Sequence, residues 1–168
     1  MSVRGLPQVA KLIATPFIAE GVRHPRRVGS AMTAFVVRHP DVTFLIDPGI
    51  CTNVAKRAVP EVPLALRIVV KPPRDVIDVR TGLSRAGLAP TDIDFALPTH
   101  LHWDHVARLL DLPDLPMRLH STERVWAMTG DRAPVGGVRS ALRGRSINEF
   151  RTGRTAGADV YPEPRPAR

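Results

Sequence analysis

The sequence of 168 residues predicts an α+β fold in a single domain, followed by an irregular basic tail. Two stretches rich in β-branched and aromatic residues, separated by a turn, indicate a hairpin. A stretch with helical spacing of apolar residues then leads into a short apolar run, which indicates a helix followed by a buried strand. After Gly130 arginine, glycine and proline dominate. We therefore expect a domain at residues 1–130 and a partly disordered extension at 131–168.

The predicted strands share short runs of apolar residues bounded by turn residues. They are Gln8–Phe17, Ala31–Arg38, Val42–Asp47, Ile93–Leu97 and Met117–His120. His39, Pro40 and Asp41 form a tight-turn sequence, so the second and third strands are expected to pair as a hairpin. Asp47 ends the third strand, which is a common place for a residue that faces a functional site.

The predicted helices follow from spacing and from residues typical of helix ends. They are Asn53–Ala58, Arg74–Ala86, a helix that starts within Asp104–Leu110, Ser121–Met128, and one short helix within Ser140–Phe150. Gly87 is expected just after the second helix and Ser121 as the N-cap of the fourth. Trp126 is expected in the core, and Tyr161–Arg168 is expected to be disordered.

The net charge, the cysteine count and the lack of long apolar segments argue against several classes of protein. The formal net charge is +8, but eight arginines and only three acidic residues lie between 132 and 168, so five of those charges belong to the tail. A solvated tail explains this distribution better than nucleic-acid binding. Cys51 is the single cysteine, which excludes an intrachain disulfide and a Cys-based zinc knot, and it is expected to be a buried thiol. No segment approaches the ~20 apolar residues of a membrane span or resembles a signal peptide, so we expect a soluble cytoplasmic protein.

Potential metal ligands are concentrated in one short segment. Residues 99–105 read Thr-His-Leu-His-Trp-Asp-His, directly after the apolar run that ends at Pro98. Neutral imidazole and carboxylate are ligands that zinc and similar divalent ions accept. Histidine and aspartate are costly to bury without partners, so packing does not explain four of them in one turn. Spacing by two residues on an extended loop allows His100 and His102 to converge on one ion.

The segment resembles the His-x-His-x-Asp-His motif of the metallo-β-lactamase superfamily. The preceding sequence is similar to the family as well. Residues 44–49 (FLIDPG) resemble its strand that ends in Asp-x-Gly, and residues 87–98 resemble the segment that leads into the motif. The order of elements also matches. The resemblance extends over residues 8 to 130.

The resemblance implies an αββα sandwich built from two similar halves, of which this chain supplies the first half before the basic tail. It implies that His100 and His102 bind a first zinc ion and that Asp104 and His105 bind a second. It makes Asp104 the catalytic candidate and places Asp47 just outside the metal ligands. The cofactor would be one or two zinc ions or another divalent metal, and the partner a small-molecule substrate with an ester, lactone, thioester or similar bond.

The sequence departs from the family downstream of the motif. The family adds a third histidine for the first zinc, a bridging aspartate and a final histidine, whereas no histidine follows His120 here. Three interpretations stay open: a zinc-dependent hydrolase, a truncated or degenerate half-domain without turnover, and a basic polyanion-binding module. The first needs further ligands, from His120, a partner chain or residues outside this sequence. An oligomer could cover the exposed side of the sheet.

Overall fold

The computed structural model describes residues 1–9, 13–17, 26–30, 32–62, 64–67, 72–129 and 138–150 of the chain, and statements about its architecture refer to these ranges. Its strands are β1 (Ser2–Pro7), β2 (Ile13–Phe17), β3 (Arg26–Ser30), β4 (Thr33–Arg38), β5 (Thr43–Ile46), β6 (Phe95–Leu97), β7 (Met117–His120) and β8 (Ile147–Phe150). Its α-helices are α1 (Val54–Arg57), α2 (Leu64–Arg67), α3 (Val79–Arg85), α4 (Trp103–Val106), α5 (Ser121–Thr129) and α6 (Val138–Leu142). Short 3-10 helices cover Val59–Glu61, Pro90–Asp92 and Ala107–Asp111.

Six strands form one mixed sheet in the order β1-β4-β5-β6-β7-β8. The pairs β1–β4 and β4–β5 are antiparallel, while β5, β6, β7 and β8 run parallel to one another. Strands β2 and β3 form a separate antiparallel pair. Mixed strands and helices with this sheet confirm the predicted α+β class.

The core lies on one face of the six-stranded sheet. Alternate residues of the central strands, among them Val36 and Leu45, point into it. Buried residues of α3, α5, α6 and the segment after β6 complete the same cluster. On the other face of β4, Phe35 is 43% exposed. Helices α3, α4, α5 and α6, which supply residues of this cluster, therefore lie on its side of the sheet, while Val37 is buried on the other face.

The predicted hairpin is confirmed, because β4 and β5 pair antiparallel around the turn at His39. The predicted buried strand before the histidine segment and the strand Met117–His120 are confirmed as β6 and β7. The prediction of Gln8–Phe17 as the first strand is wrong. The first strand is β1, Gln8 follows it, and Ile13–Phe17 belongs to the separate pair β2–β3.

The sequence predicted the end of α3 more accurately than the starts of α3 and α5. Helix α3 begins at Val79 and not at Arg74, because the Asp78 carboxylate accepts a hydrogen bond from Thr81 N at 3.1 Å and Val76 forms a β-bridge with Val9. Gly87 has φ +71° and follows the helix, as predicted. Ser121 is the first residue of α5 rather than its N-cap, and the amide of Thr122 donates to His120 Nδ1 at 3.3 Å.

Two further expectations are corrected. The segment Ser140–Phe150 contains the end of α6 and also strand β8, which adds to the edge of the main sheet. Trp126 is 39% exposed and is not a core residue. The predicted disorder of Tyr161–Arg168 lies outside the described residues. None of the helices in the described ranges has the length and apolar character needed to cross a bilayer.

Candidate functional site

The candidate site lies where two neighbouring parallel strands end. Ile46 of β5 pairs with Leu97 of β6, so the loops that follow these strands leave the sheet at the same edge. One loop begins with Asp47, and the other carries Thr99, His100 and His102. The sheet thus brings together residues that lie more than 50 positions apart in the sequence.

Asp47 connects the two loops through its carboxylate. It accepts hydrogen bonds from Thr99 N at 2.7 Å and from Thr99 Oγ1 at 2.9 and 3.0 Å. Its backbone has φ +46°, a conformation that aspartate tolerates better than most residues. Asp47 Oδ2 also lies 3.1 Å from His105 Nδ1, within ion-pair distance but without hydrogen-bond alignment. Asp47 therefore contacts both ends of the predicted motif, at Thr99 and at His105.

His100 and His102 converge as their spacing predicts. His100 Nε2 lies 3.0 Å from His102 Nδ1, and the two rings meet edge to face with centroids 4.5 Å apart. The ring of His105 lies beside that of His100, with centroids 3.9 Å apart. The three imidazoles therefore form one cluster, in which His102 is exposed and His100 is half-buried.

The hydrogen bonds assign the tautomer of His100. A carboxylate only accepts, so the Thr99 hydroxyl must donate to Asp47. The Thr99 oxygen then accepts from His100 Nδ1, which lies 3.1 Å away. A proton on Nδ1 leaves a lone pair on His100 Nε2, the atom that faces His102. The nitrogen that points into the cluster is thus an acceptor or a potential ligand.

Electrostatics favour the neutral form of His100. Burial lowers its pKa below the ordinary 6.5, and the neighbouring His105 and His102 lower it further, against the opposing effect of Asp47 and Asp104. The ring therefore stays unprotonated at neutral pH, which is the form that binds a metal ion.

Asp104 and His105 are the second and third residues of helix α4. Asp104 Oδ2 is 3.7 Å from His105 Nε2, and both side chains are partly exposed. Within the described ranges, however, no group of three or more histidine, cysteine, aspartate or glutamate side chains is arranged to hold one metal ion. The four predicted ligands are adjacent without forming such a group.

Cys51, Trp103 and His120 also carry side chains with relevant chemistry. Cys51 is fully buried, as expected, and burial first, then Asp111, raises the pKa of its thiol to about 11. Trp103 is half-buried and packs against the small cluster around Cys51 and Ala107. His120 ends β7, where its ring contacts Phe150 edge to face.

No role for Thr99, Gln8 or Arg108 was predicted from the sequence. Thr99 links Asp47 to His100, and its position beside the first histidine was the available signal. Arg108 is buried within an otherwise apolar run, Val106 to Leu110, and a charge in such a run was also a signal. Gln8 gave none, because its role depends on contacts with residues about forty positions away.

A family model described as the metallo-β-lactamase superfamily matches residues 29–156, most of the chain. This chain belongs to the metallo-β-lactamase superfamily. The resemblance noted in the sequence is thereby confirmed at the level of the family, although the match does not assign roles to individual residues of the motif. No curated protein matches the sequence.

Solved structures agree with this superfamily fold. An N-acyl homoserine lactone hydrolase, with its product N-hexanoyl-L-homoserine at the catalytic metal centre, matches with a TM-score of 0.62 and 13% identity over 89% of this chain. An AiiA variant from B. thuringiensis, with N-decanoyl-L-homoserine at its active site, gives the same TM-score, identity and coverage. A probable metal-dependent hydrolase from Staphylococcus aureus matches with a TM-score of 0.51 and 15% identity over 89% of this chain.

This superfamily member spans less than two thirds of the length of these structures, namely 59%, 59% and 58% of their chains. At such low identities the likeness concerns the fold alone. The predicted partial metallo-β-lactamase-like sandwich is therefore confirmed as a partial match.

Proposed function

We propose that this chain is part of a metal-dependent hydrolase in which His100 and His102 bind a divalent ion, with zinc as the first candidate. The observation that carries the proposal is the separation of 3.0 Å between His100 Nε2 and His102 Nδ1. Two nitrogens about 2.0–2.1 Å from one tetrahedral ion are about 3.3–3.4 Å apart, so a small ring movement admits the ion. Two facing imidazole nitrogens otherwise need a proton between them.

The chemistry of the second pair fits a neighbouring ion. Asp104 and His105 supply one carboxylate and one imidazole, 3.7 Å apart. Asp47 lies behind His105 and, through Thr99, behind His100, where a carboxylate orients imidazole ligands. Asp104 and His105 are therefore suitable in type and spacing as ligands of a divalent ion. They would supply two of the four ligands of a tetrahedral site.

Each residue has a role in this proposal. His100 and His102 would hold the ion through Nε2 and Nδ1, the atoms that face each other. Thr99 would keep the His100 proton on Nδ1, and Asp104 would bind at the second position and take part in catalysis. The ion, when bound, supplies Lewis acidity that activates a water molecule. A lactone or related ester is the proposed substrate class, supported by the fold shared with homoserine lactone hydrolases.

The test is zinc binding and lactone hydrolysis by the purified chain, beside His100→Ala and the control His39→Ala. His39 also lies near a carboxylate, Asp41, but outside the cluster. We expect the wild type and the control to bind zinc alike, and His100→Ala to bind at least about tenfold more weakly. Hydrolysis of an N-acyl homoserine lactone should disappear with a chelator and return with zinc. A wild-type chain without zinc affinity would refute the proposal.

A second candidate function is metal binding without turnover, as in a half-domain. It is favoured by one observation: the described residues include no group of three ligands around one ion, whereas a catalytic zinc site usually has three protein ligands and an open position. Zinc bound by wild type and lost in His100→Ala, together with lactone hydrolysis no faster than the uncatalysed rate, would select this alternative.

A further inference from the structure

Two polar side chains, Gln8 and Arg108, are buried among the described residues. Gln8 is 3% exposed and Arg108 is 5% exposed. Burial of a guanidinium is costly unless its donors are paired. Within the described residues, Arg108 Nε and Nη2 have no hydrogen-bond partner. Burial lowers the pKa of Arg108, and the nearby Asp111 and Asp78 offset this only in part.

Hydrogen bonds join these two residues into a closed ring. Gln8 Oε1 accepts from Ile50 N at 2.7 Å, and the backbone oxygen of Gln8 accepts from Ile77 N at 2.8 Å. Arg108 Nη1 donates to the oxygen of Ile77 at 3.0 Å. Arg108 N donates to the oxygen of Gly49 at 2.6 Å, which closes the ring. The ring ties the segment after β1, the loop after β5, the segment before α3 and the helical segment after β6.

The ring reaches the site through Gly49. Gly49 N donates to the backbone oxygen of His105 at 2.6 Å. Asp47, two residues earlier, contacts Thr99 and His105 through its carboxylate. Gly49 is thus held between the turn that carries Asp104 and His105 on one side and Gln8 on the other. The distance between Asp47 and the histidine cluster depends on where this loop sits.

We propose that Gln8 and Arg108 are positioning residues, which set the loop of Asp47 against the first turn of α4 and so align His100, His102 and His105. Their link to metal binding rests on the proposed function. The alignment itself does not, because the Asp47–Thr99 hydrogen bond joins two groups of the protein. The alignment of the loop and the affinity for zinc can therefore be measured separately.

The first measurement is amide hydrogen exchange of the metal-free chain. The variants are Arg108→Met and Gln8→Met, which remove the side-chain hydrogen bonds of the ring while keeping a long side chain. Thr99 N and Gly49 N should exchange at least about tenfold faster in both variants, while amides of β5 stay protected. Gln8→Glu keeps the oxygen that accepts from Ile50 N, so it should restore much of the protection.

Arg145→Met is the matched control. Arg145 is half-buried, and like Arg108 its guanidinium donates to backbone oxygens, those of Leu109, Leu112, Leu115 and Ala141. Its hydrogen bonds do not involve the loop after β5. Its loss should lower overall stability without faster exchange at Thr99 and Gly49 beyond that of the whole chain.

The second measurement is the zinc dissociation constant of the same proteins. Gln8→Met and Arg108→Met should raise it about tenfold, within the range known for residues behind metal ligands, and Arg145→Met should leave it within about twofold of wild type. Unchanged exchange at Thr99 in both ring variants would overturn the proposal, as would an equal effect of Arg145→Met. If Arg108→Met does not fold, the pair Gln8→Met and Gln8→Glu decides. A wild type that binds no zinc refutes the metal site and leaves the exchange result to decide the positioning role.

Discussion

Gly49 shows how one residue constrains the candidate site. Its φ of +90° suits glycine alone among common residues, and a Cβ there would lie 1.8–2.2 Å from the side-chain amide of Gln8. We expect Gly49→Ala to lower the free energy of unfolding by about 2–4 kcal/mol, because it adds both strain and a clash inside a buried ring. Urea unfolding followed by circular dichroism measures the change.

Gly82→Ala provides the comparison. Gly82 lies within α3, and a Cβ there meets nothing within 4 Å. Alanine should therefore stabilise the chain by up to about 1 kcal/mol. Equal effects of the two substitutions would show that the packing of Gln8 on Gly49 does not exist in solution.

Cys51 gives a prediction about pH. Burial raises the pKa of its thiol from 9.0 to about 11 in the folded chain. Between these values the unfolded chain loses its thiol proton while the folded chain keeps it, so stability falls as pH rises, by about 1 kcal/mol per unit at most. Cys51→Ala should flatten this decline between pH 9 and 11. At pH 8 the native thiol should not react with a disulfide reagent, and it should react rapidly in urea.

The sequence predicted which residue types make up the candidate site, but only part of how they are arranged. The alternating histidines and Asp47 at a strand end were visible in the sequence, because ligand chemistry and strand ends leave local patterns. Thr99, which fixes the tautomer of His100, and Gln8, which packs on Gly49, act through contacts between distant segments. A single sequence taken alone carries no record of such contacts.

At the scale of elements, the predictions failed mostly at the edges of the sheet. The central strands β4, β5, β6 and β7 were all predicted, because burial makes their apolar character plain. Strands β1 and β8 are the outer strands and were missed. Residues 2–7 contain Gly5 and Pro7, which are unfavourable in central strands and tolerated at an edge.

The start of α3 gives a test at this scale. Asp78 accepts from Thr81 N and caps the helix, whereas a helix that began at Arg74, as the apolar spacing suggested, would place Asp75 in its first turn. We expect Asp78→Ala to lower the free energy of unfolding by about 1 kcal/mol and Asp75→Ala to change it by less than about 0.5 kcal/mol. Thermal or urea unfolding distinguishes them.

Asp78→Asn separates capping from charge, since Asp78 also attracts the buried Arg108. Asparagine keeps the side-chain oxygen that caps the helix. Stability close to wild type would assign the loss in Asp78→Ala to the cap. A loss as large as that of alanine would assign it to the charge.

At the scale of the whole molecule, helices α3, α4, α5 and α6 and the larger hydrophobic cluster lie on one face of the six-stranded sheet. The chain also spans only 59% of the length of a superfamily structure with the same fold. The opposite face carries apolar side chains such as Val3 and Phe35, both exposed. Which face stabilises the chain is therefore a question that adjacent residues of β4 can answer.

Phe35 and Val36 are neighbours in β4 and point to opposite faces, 43% and 2% exposed. Threonine in place of Val36 puts a hydroxyl into the core and should lower the free energy of unfolding by about 1–3 kcal/mol. Phe35→Thr should change it by less than about 1 kcal/mol, although it removes the larger side chain.

Urea unfolding at two protein concentrations measures the free energy of unfolding of both variants and its dependence on association. A larger loss for Phe35→Thr that grows with concentration would mean that a second copy covers this face. The same loss without concentration dependence would mean that a segment of the same chain covers it. Either result would show that the face of Phe35 contributes more to stability than the helical side.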